Sequence, residues 1–267
     1  MSREGLEEKK IERRVRRYEE ERLVRLKRSE EFETIEEVFD KFTLETLYEL
    51  MRRGIIDEMQ GVVKAGKEAR IYGGRSPGGR EFAIKIYYTV TADFKQGMLK
   101  YIQDDYRFKR IDRSRRGIIY VWAQKEFRNL REAYRVGVTV PEPIEVLKNV
   151  LVMEFLGENG EPAPLLRNVS LDKPKPIYRK LLDEVKLLYT KAEIIHGDLS
   201  EYNIMFWKEK CYIIDISQAV PTNHPMAAEL LERDIGNLNR YFAHLDVKTF
   251  DAERIREWIV SGNKGLR

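Results

Sequence analysis

Cysteine is all but missing from this chain: Cys211 is the only one in 267 residues. A single thiol excludes an internal disulfide framework and a cysteine-rich zinc site, and its setting in Cys211-Tyr212-Ile213-Ile214 reads as a small buried hydrophobe. No apolar run approaches the ~18 residues that a membrane helix needs, and no secretory leader pattern stands at the N-terminus. The chain is therefore expected to be soluble and cytoplasmic, with no membrane partner. Histidine is scarce too; His224 and His244 lack any paired ligand spacing with acids or Cys and read as structural or surface residues. Excess charge of one sign is also lacking, since 49 Lys and Arg stand against 45 Asp and Glu, a net +4. Whole-protein charge thus does not demand a nucleic-acid partner. Charge as such is abundant: 35% of residues are ionisable against about 25% in ordinary globular chains, a composition in keeping with heat adaptation. The 42% hydrophobic content is enough for a substantial core.

What is present is a compact chemical signature. His196-Gly197-Asp198-Leu199-Ser200-Glu201-Tyr202-Asn203, followed by Tyr212-Ile213-Ile214-Asp215, sets an acid beside a turn glycine, an amide five positions later and a second acid at a strand end. Phosphoryl transfer needs hard oxygen ligands for Mg²⁺ and a carboxylate to orient or deprotonate the acceptor hydroxyl. Asp198 fits the base, Asn203 and Asp215 the metal ligands. A polar turn and a capped strand would explain His-Gly-Asp alone; the D-x-x-x-x-N spacing with the second strand-end acid favours catalysis. Upstream, Phe82-Ala83-Ile84-Lys85-Ile86-Tyr87 alternates as a strand with one lysine among apolar neighbours. Lys85 sits either on a wet edge or, as in the kinase pattern, on nucleotide phosphates. Before it, Gly61 to Tyr72 reads as two short strands about a turn, where Gly66 permits close backbone approach to phosphate and Lys67 adds charge. The G-x-G-x-x-G of ordinary protein kinases is absent.

Taken together, Gly66-Lys67-Glu68-Ala69, Lys85, Trp122 to Leu130, Val152-Met153-Glu154-Phe155-Leu156-Gly157, Ile195 to Asn203 and Ile214-Asp215-Ile216-Ser217-Gln218 resemble the RIO atypical serine protein kinases, specifically their first branch, and the short termini without a lysine-rich tail resemble its archaeal members. The resemblance runs from about Thr43 to the C-terminus. It implies an α+β, two-lobed, protein-kinase-like fold of trimmed form, with ATP and Mg²⁺ as cofactors and Mn²⁺ as a substitute. It further implies autophosphorylation on serine, ATP turnover, and a part in late maturation of the small ribosomal subunit, whose pre-ribosomal particle would be the partner. By the same resemblance Lys85 holds the α/β-phosphates with Glu126 as helix partner and Glu132 as the competitor. Met153 stands behind the adenine, and the backbone of Glu154 and Leu156 reads its edge. Lys64, Ala65, Gly66, Lys67 and Glu68 cover the triphosphate, Glu201 joins the nucleotide-binding set, and Asp215 is associated with a transient acyl phosphate.

Two departures from ordinary kinases bear on regulation. Gly197 stands where many kinases carry an arginine that reads a phosphorylated activation loop, and Ile216-Ser217 replaces Phe-Gly after the metal-binding Asp. No Ala-Pro-Glu follows in the short stretch to residue 267, so regulation by docking is expected. The same shortness argues against a small-molecule kinase of the aminoglycoside or choline type, which shares the His-Gly-Asp loop. A nucleotide-gated scaffold with little turnover is the other alternative.

Three regions are expected: a helical N-terminal module over 1–60, a β-rich small lobe over 61–156 with a flexible insertion around 89–118, and a helical large lobe over 157–267. Residues 3 to 31 read as a thinly amphipathic, densely charged helix, either solvated or a partner-binding arm. The insertion interleaves Lys100, Tyr101, Tyr106, Arg107, Phe108, Lys109 and Arg110, which suits either a solvated loop or contact with a phosphate backbone. Ser114, between Arg113 and Arg115, is the candidate phosphoacceptor, with Ser76 as rival.

Overall fold

The computed structural model describes residues 11–13, 15, 39–88, 92–108, 111–262 and 265–266. Most of the helix expected over 3 to 31 falls outside them, as do Lys109 and Arg110. The chain forms two compact units, one of Met1–Thr89 with Ile144–Phe155 and one of Val90–Pro143 with Leu156–Arg267.

In the first unit, α1 (Lys41–Arg52) starts at Asp40, whose carboxylate accepts from the amides of Phe42 and Thr43 at 2.9 and 3.0 Å. Such a cap is worth about 1 kcal/mol. Residues 43, 46, 47 and 50 recur at helical spacing and are all buried, so one face of α1 can cover a sheet. That sheet comprises β1 (Glu58–Ala65), β2 (Ala69–Arg75), β3 (Glu81–Tyr87), β4 (Pro143–Leu147) and β5 (Val150–Glu154), in the order β1-β2-β3-β5-β4. Leu47 and Leu50 from α1 share a core with Ile56, Met59, Tyr72, Ile84, Ile86, Val150 and Val152, where each aliphatic side chain contributes about 1.5–3 kcal/mol by leaving water. The turn before β5 is tied in by buried Asn149, which donates to Thr43 Oγ1 at 2.9 Å and to the Tyr87 carbonyl at 3.0 Å.

In the second unit, α2 (Ala92–Ile102) and a 3₁₀ turn at Tyr106–Phe108 precede the long α3 (Arg115–Arg135). Short paired strands follow: β6 (Gly157–Glu158) with β7 (Glu161–Pro162), β8 (Ile194–Ile195) with β11 (Val220–Pro221), and β9 (Ile204–Trp207) with β10 (Lys210–Ile213). The helices α4 (Pro174–Thr190), α5 (Ala227–Ala243) and α6 (Ala252–Ser261) pack on one another. Asp251 caps α6 by accepting from the Arg254 amide at 3.1 Å, as its position predicts. Cys211 is buried in β10, and burial pushes its thiol up to about 11, as befits an inert hydrophobe.

The segment expected as a loop within the small lobe differs on two counts. It carries α2, with Met98, Tyr101 and Ile102 buried at helical spacing. It also groups with the second unit, because Tyr101 packs against Trp122 of α3 and α3 bonds to carbonyls around residue 217. Arg107, expected among the phosphate-following bases, is instead buried against Asp105 at 2.6 Å. Among the described residues, no helix is long and apolar enough to cross a membrane.

Candidate active site

The segment expected to carry the catalytic acid runs from β8 to β9 in the second unit and turns on Gly197. Its φ of +77° is a left-handed conformation that favours glycine, and an added Cβ would meet Leu230 Cδ1 at 3.3 Å. The turn lets Asp234 of α5 accept both the Gly197 and the Leu199 amide at 2.8 Å, while Asn237 donates to the Leu199 carbonyl at 3.0 Å. One buried carboxylate thus fixes the backbone on either side of Asp198. His196, itself buried, accepts the Asp198 amide on Nδ1 at 3.3 Å, which leaves Nε2 to donate to the Ile214 carbonyl at 3.1 Å. The ring therefore fastens the Asp198 loop to the strand end that carries Asp215.

Asn203 donates Nδ2 to the Asp198 carbonyl at 2.8 Å and to Asp198 Oδ2 at 3.3 Å, so its amide is oriented with Oδ1 as the oxygen to offer a cation. Gln218 donates to the same Oδ2 at 3.2 Å. The Asn203 carbonyl accepts the Ile214 amide at 2.9 Å, which joins the two proposed metal-ligand segments. Burial raises the Asp198 pKa above the ordinary carboxylate value; the charge of Asp215 adds to this, while His196, Arg233 and the Asn203 hydrogen bond oppose it. A carboxylate shifted in this direction is better matched to accepting a proton near neutral pH. Asp215 has φ +58° and opens the 3₁₀ turn Ile216–Gln218, and its Oδ1 accepts from Ser217 Oγ at 3.2 Å.

The donor set of one carboxylate and one amide oxygen suits Mg²⁺, which takes few protein ligands and fills its octahedron with phosphate and water. Among the described residues, no group of three or more His, Cys, Asp or Glu could hold a metal ion.

Of the residues expected on the nucleotide, the first unit holds Lys64 to Glu68, Lys85, Met153 and Glu154. Lys64 to Glu68 turn from β1 into β2, with the Gly66 amide donating to the Ala69 carbonyl at 3.0 Å. An added Cβ on Gly66 would lie 3.0 Å from that same oxygen, so a side chain there crowds the turn. Irregular register at Met59, Val62 and Lys64 twists the approach to it. Lys85 lies in β3 between Ile71 and Leu151 and is buried, with Nζ 5.1 Å from the Tyr87 ring. Met153 and Glu154 end β5 opposite Ala83 and Phe82. Leu156 belongs to the second unit, where its carbonyl accepts the Ala163 amide at 2.8 Å.

On α3, Glu126 is buried, whereas Glu132 pairs with Arg135 at 3.1 Å on the surface; burial separates the two candidates. The Glu201 carbonyl accepts the Arg167 amide at 3.3 Å, and the Arg167 guanidinium lies 4.4 Å from the Tyr202 ring. Ser114 caps α3 rather than sitting in a loop. Sequence reasoning assigned no role to Asp234, Asn237, His196, Gln218, Lys125 or Asn129. A signal existed for Asp234, which interrupts the buried apolar stripe Leu230, Leu231, Ile235 and Leu238.

Residues 70–255 match the RIO domain. A RIO-type serine/threonine-protein kinase Rio1 of Methanocaldococcus jannaschii is 45% identical over 216 residues, covering 80% of this chain and 72% of that protein. Serine/threonine-protein kinase RIO1 of Caenorhabditis elegans is 36% identical over 254 residues, 94% of this chain but 50% of the relative; the chain therefore spans about half the length of that longer protein. Among solved structures, the Rio2 kinase of Chaetomium thermophilum superposes with a TM-score of 0.64 at 25% identity, covering 80% of this chain and 67% of that one. Its complex with ADP, Mg²⁺ and phosphoaspartate gives 0.64 at 22% identity, covering 84% and 68%. These likenesses establish the kinase-like fold.

Proposed function

The chain belongs to the RIO kinase family, and from that premise we propose that it is an ATP- and Mg²⁺-dependent serine protein kinase and ATPase that phosphorylates itself. The observation that carries the proposal is the Asp198 carboxylate, oriented by Asn203 and Gln218 and joined through His196 to the segment bearing Asp215. Asp198 takes the proton from the acceptor hydroxyl as its oxygen bonds the γ-phosphorus, while the bond from that phosphorus to the β,γ-bridging oxygen breaks and ADP leaves. Lys85 and the turn Lys64 to Glu68 hold the phosphates, and Met153, Glu154 and Leu156 the adenine; the role of Glu126 as partner of the lysine rests on the family resemblance. Asn203 and Asp215 hold Mg²⁺, which when bound neutralises charge on the β- and γ-phosphate oxygens. Ser114, water and Asp215 are the three acceptors to be distinguished; the phosphoaspartate of the Chaetomium Rio2 complex supports including the last. A role in small-subunit ribosome maturation rests on the family resemblance alone.

The test is the fate of γ-labelled phosphate when purified protein meets ATP with Mg²⁺, or with Mn²⁺ in its place, in wild type and Asp198→Ala. Label in protein or inorganic phosphate that vanishes in the variant is the expected result. Acid-stable label marks serine, and hydroxylamine-labile label marks Asp215. Tight nucleotide binding with no turnover in the wild type would overturn the proposal in favour of a nucleotide-gated scaffold.

A further inference from the structure

Lys125 and Asn129 lie one turn apart on the buried face of α3, and neither has a role in the chemistry above. Lys125 is completely buried, yet no carboxylate bonds its ammonium among the described residues. Its Nζ donates instead to the main-chain carbonyls of Ser217, at 3.1 Å, and Ala219. Asn129 Nδ2 donates to the carbonyls of Ile216 and Ala219 at 2.9 and 3.2 Å; two carbonyl acceptors require the NH₂ group, which fixes the amide orientation. Two side chains of one helix thus grip three carbonyls in the four residues that follow Asp215.

Burying an ammonium is expensive, and an apolar side chain of similar size would serve packing at least as well. Burial pushes the Lys125 pKa down to about 7, the charge of Arg107 adds to this and that of Asp105 opposes it, so the position is unfavourable for a charge. The compensating feature is geometric. Asp215 holds φ +58°, a region that disfavours most residues with a side chain, and the turn that follows must keep it there.

Building on the kinase reading, we infer that Lys125 and Asn129 are positioning residues for Asp215: by gripping the carbonyls of Ile216, Ser217 and Ala219 from α3 they hold the turn that aims its carboxylate at the metal. Each acts through the backbone of the turn.

Two quantities test this in Lys125→Met and Asn129→Ala against wild type. One is deuterium exchange of the amides from Ile213 to Val220 without nucleotide. The other is the Mg²⁺ concentration that half-saturates ADP binding. Both variants should exchange faster across the turn and need about tenfold more Mg²⁺, as expected when support behind a metal ligand is lost. Metal-free ADP affinity should stay within about twofold, and the Asp198-dependent rate should fall with the metal affinity. Variants that melt like wild type and match it within about twofold in both quantities would overturn the inference. If Lys125→Met does not fold, Asn129→Ala decides; if neither folds, the two residues are fold determinants and the inference is wrong. A wild type whose ADP binding ignores Mg²⁺ would sink the kinase reading, while the exchange measurement would still report on the grip.

Discussion

Gly197 and Asp215 both hold left-handed backbone, with φ of +77° and +58°, for different reasons. Gly197 is there because a neighbour crowds its missing Cβ and two flanking amides must reach one acid; Asp215 is there despite its side chain, held by the turn that follows. The acid serving Gly197 makes a pH prediction. Burial pushes Asp234 up to about 6, against His196 and the two amides that favour its charged form. The unfolded chain titrates this group near 3.9, so between about pH 4 and 6 the folded state keeps a proton that the unfolded state has lost. The resulting stabilisation is complete below about pH 4 and is lost as pH rises through about 6, on the order of 3 kcal/mol. Urea titrations of wild type and Asp234→Asn should therefore differ in slope across that window, the variant being flatter; parallel profiles would remove Asp234 as the cause. The spacing within the loop from His196 to Asn203 was legible because two of its hydrogen bonds, Asp198 to His196 and Asn203 to Asp198, close within five residues. Asp234 acts from 35 and 37 positions away, and no local pattern states which loop a buried acid will face.

At the scale of elements, the strand signal of Phe82 to Tyr87 and the late helices could be read from periodicity, because one face of each is consistently apolar. The insertion could not. Its basic and aromatic residues alternate like a solvated loop, yet Asp105 and Arg107 neutralise each other out of water, and only the folded chain shows that pairing. Ser114 shows how one residue can answer to two elements. Its Oγ accepts the Gly117 amide at 3.0 Å and donates to Asp112 Oδ2 at 2.8 Å, so it caps α3 as well as being the proposed acceptor. Ser114→Ala should cost about 1 kcal/mol, whereas Ser114→Asn keeps a capping oxygen and should cost little. If Ser114 receives the phosphate, both variants lose acid-stable label while only the alanine variant loses stability. Label that survives in Ser114→Asn would move the acceptor elsewhere, with Ser76 next to be examined.

The whole molecule is organised differently from its chain order: each unit is assembled from two separated stretches, a grouping that sequence patterning does not reveal because it depends on long-range packing. β5 enters the sheet between β3 and β4 only after the chain has built α2 and α3. A fragment ending at residue 142 lacks both β4 and β5 and leaves the Phe82 to Ile86 edge of β3 unpaired, an invitation to aggregation. A fragment ending at 155 supplies both strands, and should be the more soluble of the two with more sheet in its far-UV circular dichroism; equal behaviour would show that the β3 edge is protected by other means. The Lys125 grip also has a consequence in time. Lys125 and Ala219 are 94 positions apart, and synthesis adds about 5–20 residues per second. During translation the ammonium therefore waits on the order of 5 to 20 s for its carbonyls. It can stay hydrated through that interval, so the nascent α3 carries a solvated charge on a face that is later buried.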